Sequence, residues 1–184
     1  MNPESREVLE QLRSRDADIR RRAELELMAE FEPRLRTILA RVVDASILDD
    51  AVQEVFVDVL RGLDGFDGRS RISTWIYRVA LRRGWKLQAR EARRRAVEPS
   101  SEHVAELSRA ARHDDLLEER EMAERFEVAL KQLDFDQRSV LALTACRDLR
   151  PNEIAETLGI PVGTVHSRLS RARARLGSLL DLDA

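Results

Sequence analysis

Apolar residues recur at steps of three and four along most of the chain, the period of amphipathic helices. Val8, Leu9 and Leu12 share one face of a short helix from about Pro3 to Arg15. Asp16 or Asp18 caps a second helix, which runs through Ile19, Leu25, Leu27 and Met28 toward Phe31. Pro33 lacks the N–H that a helix interior uses and predicts a break or kink. Beyond it Leu35, Ile38, Leu39 and Val42 resume the apolar stripe. The polar stretch Asp44–Ser46 precedes a third helix, about Leu48 to Leu60. Gly62, Gly65 and Gly68 then punctuate a loop. Ser73 or Thr74 starts a long helix to about Arg95, with Ile76, Val79, Ala80 and Leu87 inward.

The pattern is lost between Ala96 and Arg112, around Pro99 and two serines, and reads as a linker. It returns near Asp114, where Leu116, Leu117, Met122, Phe126, Ala129, Leu130 and Leu133 stand in helical register. Asp134 or Asp136 caps a further helix through Val140, Leu141 and Leu143. The predicted fold is therefore all-α: two small helical domains, residues 1–95 and 114–184, joined by a linker over 96–113.

The segment Asn152–Arg175 (NEIAETLGIPVGTVHSRLSRARAR) carries the sharpest local signal. Ile154 and Leu158 lie one turn apart, and Ala155 is small where two helices must approach. Gly159 stands where a short helix ends and the chain needs φ > 0. Pro161 opens the next helix, where a missing N–H is harmless. Val165, Leu169, Ala172 and Leu176 make one buried stripe. Gly163, Thr164, Ser167, Ser170, Arg171 and Ala174 point away from it, flanked by His166 and Arg168. This is a helix-turn-helix pattern, the shape that enters a DNA major groove. Small and hydroxyl residues near the helix start, Thr164 and Ser167 among them, allow close approach to base edges, while Arg171, Arg173 and Arg175 reach phosphates. Arg171 is also a candidate base contact, His166 a candidate for base or phosphate, and Arg168 a flanking candidate for DNA contact.

A net charge of −2 over 184 residues argues against a DNA binder until its distribution is read. From Arg71 to Arg95 basic residues crowd together, opposed only by Glu91, whereas from Glu98 to Glu127 acidic residues outnumber four arginines. Two basic surfaces separated by an acidic stretch suit a grip on two separate sites. The hydrophobic share of 43% is enough for a core, and no run approaches the roughly 18 apolar residues that span a bilayer. The N-terminal residues lack the apolar segment of a signal peptide, which predicts a cytoplasmic protein with no membrane insertion. A single cysteine, Cys146, excludes an intramolecular disulfide and a cysteine-based zinc site, and no cofactor is called for. A nucleic-acid hydrolase would need clustered carboxylates or histidine ligands. His103 and His113 fall in the linker and His166 on the recognition helix, so the chain is not read as an enzyme.

Three segments in order resemble the bacterial RNA polymerase sigma factors, specifically the small two-domain extracytoplasmic-function (ECF) group. Asp49–Phe56 (DDAVQEVF) is similar to the family's polymerase-binding helix. Phe66–Ala80 (FDGRSRISTWIYRVA) is similar to its promoter-opening segment, and Leu133–Leu180 to its minus-35-binding domain. The resemblance implies a non-catalytic initiation factor that recruits polymerase and assists strand opening. It implies that Asp49, Asp50, Gln53 and Glu54 dock on the β′ clamp helices of core RNA polymerase, with the β flap as a second contact. Trp75, Tyr77 and Trp85, interleaved with Arg78, Arg82, Arg83 and Lys86, would meet double- and single-stranded minus-10 DNA. Aromatic rings replace lost base stacking and cations hold phosphates. Arg82 and Lys86 stand where members usually carry Asn and Asp, and suit phosphate or guanine instead. The resemblance also implies an anti-sigma partner that masks both domains. A stand-alone helix-turn-helix regulator is the competing reading, but it has no use for the acidic helix or the Arg-Trp block.

Overall fold

The computed structural model describes residues 3–97, 114–146 and 149–180, with side chains described over 8–95, 121–146 and 149–180. Within these residues the chain forms α-helices joined by turns, with no strand. The helices are α1 (Pro3–Leu12), α2 (Ala17–Leu39), α3 (Leu48–Gly62), α4 (Ile72–Val97), α5 (Asp114–Lys131), α6 (Phe135–Thr144), α7 (Pro151–Leu158) and α8 (Val162–Leu180). Short 3-10 turns, Ala45–Ile47 and Leu63–Gly65, flank α3. The expected linker over 96–113 lies outside the described residues, apart from the last backbone turn of α4.

Local chemistry sets the boundaries. Asp16 rather than Asp18 starts α2, its carboxylate accepting from the N–H groups of Asp18 at 2.9 Å and Ile19 at 3.3 Å. Asp134 rather than Asp136 starts α6 in a reciprocal cap with Gln137, which donates its N–H at 2.7 Å and accepts that of Asp134 at 3.4 Å. Pro151 opens α7, and the Glu153 carboxylate takes the Arg150 N–H at 2.8 Å. Gly159 ends that helix at φ +67°, and the Ile160 N–H returns to the Ala155 carbonyl at 3.0 Å. A Cβ at Gly159 would touch nothing within 4 Å, so a substitution there acts through backbone strain alone. Gly159→Val is therefore expected to cost about 1–2 kcal/mol, read as a lowered thermal midpoint, and an unchanged midpoint would contradict the left-handed turn.

Of the break or kink expected at Pro33, the break is absent: α2 runs unbroken from Ala17 to Leu39 with Pro33 inside it. The proline ring is exposed, while Phe31 and Leu35 on either side are buried at 3% and 0% exposure. Packing of that stripe holds the helix together across the lost hydrogen bond. Ile19, Leu25 and Met122, expected on apolar stripes, are exposed at 46%, 58% and 45%. Leu25 lies two residues from the buried Ala23, on the opposite side of α2. Three residues beyond Met122, Arg125 donates to the carbonyl of Leu180 on α8 at 3.3 Å.

The core is shared. Leu35, Ile38 and Leu39 of α2, Val55 and Val59 of α3, and Ile76 and Ala80 of α4 are fully buried. Gly84 permits the close approach of α4 to α2, because a Cβ there would lie 2.8 Å from a Leu39 methyl and 3.0 Å from one of Val42. The same cluster continues into the C-terminal half through Val140, Leu143, Cys146, Ile154 and Val165. A smaller cluster of Ala129, Leu130, Leu133, Ala172, Leu176 and Leu180 ties α5 to α8. Helix α7 thus lies against α4, and α6 against α2.

Candidate nucleic-acid interface

At about 100° per residue, Trp75, Arg78, Arg82, Trp85 and Lys86 fall within an arc of about 100° on α4. Tyr77 falls on the far side and Arg83 on the flank. Their surroundings follow that division. Tyr77 is 2% exposed and meets the Phe31 ring edge-on at 6.0 Å. Trp75 is half-buried against Phe66, with ring centroids 5.1 Å apart. Its indole also covers Gly62, where a Cβ would lie 2.8 Å from the ring. Trp85 is half-buried against Phe135 at 4.7 Å, beneath the Arg138 guanidinium at 5.0 Å, and its Nε1–H donates to Ser139 Oγ at 3.2 Å. Arg82 and Lys86 are exposed.

The remaining arginines of this face are engaged by protein groups. Arg78 Nε donates to the Thr157 carbonyl at 2.8 Å, and its Nη2 donates to that of Glu156. Arg71 pairs with Glu153. Arg83 turns to α3, where its Nε donates to Asp58 at 2.6 Å and its Nη1 to Glu54 at 3.0 Å. The hydrogen bond that Arg83 donates to Asp58 raises its pKa further, against the opposing effect of burial and with help from both carboxylate charges.

On α3, Asp49, Asp50 and Gln53 are exposed and Glu54 is half-buried by its pairing with Arg83. Asp49 accepts from Arg36 at 2.6 Å. Burial of Ala51, Val52, Val55, Phe56 and Val59 orients these polar groups outward together.

On α8, His166, Ser167, Arg171, Arg173 and Arg175 are exposed, Thr164 and Arg168 half-buried. Val165, Ala172 and Leu176 face inward as the stripe requires. Arg168 is held by Asp136 of α6 at 2.5 Å, a pairing that sequence periodicity does not reveal. Ser167 Oγ donates to the Thr164 carbonyl at 3.1 Å, and Arg171 Nε to that of Ser167 at 3.3 Å.

Two structural groups were not foreseen. Arg13, beyond the end of α1, donates to the carbonyls of Leu63 and Phe66 and so fastens the loop beneath Trp75. Its partners lie some fifty positions away, and nothing local marks it. Asp44 is 6% exposed, with Lys131 Nζ at 2.7 Å, Arg95 Nη1 at 2.8 Å and Gln88 Nε2 at 3.2 Å. Burial pushes its carboxyl pKa up, but hydrogen bonds from Lys131 and Gln88 and the charges of Lys131 and Arg95 hold it below 3.8 overall. Its stabilisation is complete above 3.8 and is lost as pH falls through the depressed value in the folded chain. Asp44→Asn should cost about 1–3 kcal/mol at neutral pH. Denaturant midpoints of the two proteins should converge in strong acid; parallel curves there would contradict this.

Comparison with known proteins gives this geometry a family. The model for Sigma-70 region 2 matches residues 27–95, and that for Sigma-70 region 4 matches residues 123–176. RNA polymerase sigma factor CnrH of Cupriavidus metallidurans is 34% identical over 143 residues, 74% of this chain and 75% of that one. The ECF RNA polymerase sigma-E factor of Escherichia coli K12 is 29% identical over 154 residues, 80% and 81% of the two chains. The structure of CnrH in complex with the cytosolic domain of CnrY is similar at a TM-score of 0.67 and 27% identity, covering 98% of this chain and 99% of that one. The sigma factor RpoE in complex with the anti-sigma factor NepR, from Bartonella quintana, shares the fold at a TM-score of 0.59 and 23% identity, covering 86% and 99%. With both regions matched in chain order and a relative above 30% identity across three quarters of both chains, this chain belongs to the ECF group of RNA polymerase sigma factors.

Proposed function

We propose that this chain binds core RNA polymerase and directs it to promoters by reading a minus-10 and a minus-35 element, assisting strand opening at the first. The observation that carries this reading is one chain with two separate basic helical faces, on α4 and α8, and an acidic face on α3. Asp49, Asp50, Gln53 and Glu54 dock on the β′ clamp helices, where exposed carboxylates and an amide suit a cationic partner. Trp75 and Trp85 stack on unpaired bases while Arg78, Arg82 and Lys86 hold phosphates. Tyr77 anchors α4 to the core, and Arg83 fixes the side chains of α3, so both serve the site by positioning it. Thr164, His166, Ser167 and Arg171 approach base edges in the major groove, and Arg168, Arg173 and Arg175 the backbone. The C-terminal half meets the β flap. An anti-sigma partner is part of the proposal, supported by the complex of the related RpoE with NepR.

The test is transcription from genomic fragments by core polymerase with and without the purified chain. Start sites that require the chain, and that share two spaced elements, are the expected result. Binding to specific duplex DNA without any effect on polymerase would favour a stand-alone regulator instead.

A further inference from the structure

We propose that Arg13 is a positioning residue for strand opening: by holding the turn after α3, it sets the place of Trp75. That Trp75 meets unpaired bases rests on the reading above; the hold on its ring rests on contacts alone. Helix α3 ends at Gly62, the 3-10 turn Leu63–Gly65 follows directly, and Phe66 then leaves in extended backbone. A helix that stops in this way presents its last carbonyls, the negative end of its peptide dipoles, to whatever cation can reach them. Arg13 reaches them from the other end of the sequence order. Its Nη2 donates to the carbonyl of Leu63 and, at 2.6 Å, to that of Phe66, with the Asp64 carbonyl more distant at 3.4 Å.

Both ends of this contact are anchored. Leu9 and Leu12, which seat α1, are buried, and the Arg13 N–H still returns to the Leu9 carbonyl at 3.0 Å. On the other side, Leu63 and Phe66 are buried as well. The Phe66 ring lies 5.1 Å from that of Trp75. The indole also closes over Gly62, where a Cβ would lie 2.8 Å from the ring. Trp75 therefore rests on Gly62 and Phe66, the two residues that bracket the turn, and the turn is what Arg13 holds.

A ring that takes the place of a lost stacking partner works best when it already waits in its bound position. Each other position that it samples lowers the share of chains ready to stack. The docking residues Asp49 to Glu54 stand at the opposite end of α3. Loss of Arg13 should therefore spare polymerase binding and impair opening.

Two measurements on the full chain test this. The first needs no polymerase. In a Trp85→Phe background Trp75 is the one tryptophan, because the sequence holds two. Adding Arg13→Gln should raise acrylamide quenching of Trp75 toward its value in the urea-unfolded chain. Arg13→Lys keeps a cation at the carbonyls and should stay near the parent. Quenching unchanged by Arg13→Gln overturns the proposal and leaves the exposed Arg13 as a direct phosphate contact at most. The second measurement keeps Trp85. It compares transcription by saturating core polymerase and chain from a duplex promoter and from the same promoter with its minus-10 element already unpaired. Arg13→Gln should lower the duplex-to-unpaired ratio about tenfold, the worth of one hydrogen bond to a charged group. Polymerase affinity and the urea midpoint should stay close to native, and Arg13→Lys should recover most of the ratio. Equal losses on both templates, or none, overturn the proposal. If the native chain drives neither template, the sigma-factor mechanism falls, and the quenching result alone decides whether Arg13 places Trp75.

Discussion

Tyr77→Ala is expected to destabilise the chain by about 3–5 kcal/mol, enough to consume much of a typical domain's stability. Tyr77 is among the largest fully buried side chains, on the inner side of α4 and edge-on to Phe31. Truncation leaves a cavity between α2 and α4, at a junction where Gly84 shows that backbones already approach closely. Urea unfolding of Tyr77→Ala and Tyr77→Phe separates the two possible roles. Phe keeps the ring and most of the packing, so it should retain most of the stability. A stable Tyr77→Ala protein with a specific loss of promoter opening would contradict the core position.

Arg83→Leu is expected to cost about 1–3 kcal/mol and to weaken polymerase binding, while its neighbour Arg82→Ala stays within about 0.5 kcal/mol. The Arg83 side chain is 23% exposed and binds Asp58, itself 29% exposed, as well as Glu54. Removing the guanidinium leaves two carboxylates one turn apart on α3 with their shared cation gone. Arg82 is exposed, so its loss should reduce DNA binding with little change in the unfolding midpoint. Co-purification with core polymerase and urea unfolding, done on both variants, decide the matter. Equal behaviour of the two would show that the link between α3 and α4 has no consequence.

Much of this was readable from residue order. The caps at Asp16 and Asp134 fell within the offered pairs, and the left-handed Gly159 followed from the need to turn between α7 and α8. The inward stripe of α8 came from periodicity alone. Separating Tyr77 from Trp75 was also within reach, since two residues turn a helix by about 200°. Grouping them by their shared aromatic character concealed that. Other features had no local sign. Periodicity tells which face of a helix is apolar but not which helix will cover it. The junction of Arg78 with α7, and that of Trp85 with α6, join positions far apart in sequence and depend on how both halves pack. Arg13 and Asp44 look like ordinary polar residues until their partners arrive.

Pro33 has a consequence for how the chain opens under native conditions. It removes one rung from the middle of α2, so the front of that helix and α1 are joined to the rest by fewer backbone bonds than helix length suggests. That front bears exposed Ile19 and Leu25 and is closed chiefly by Leu9, Leu12, Ala23 and Leu27. Amide hydrogens before Pro33 should therefore exchange with solvent deuterium through a partial unfolding of lower free energy than those of Leu35 to Leu39. The α2 helix, unbroken in shape, is divided in its cooperativity, with its C-terminal part belonging to the slowest-exchanging unit of the molecule.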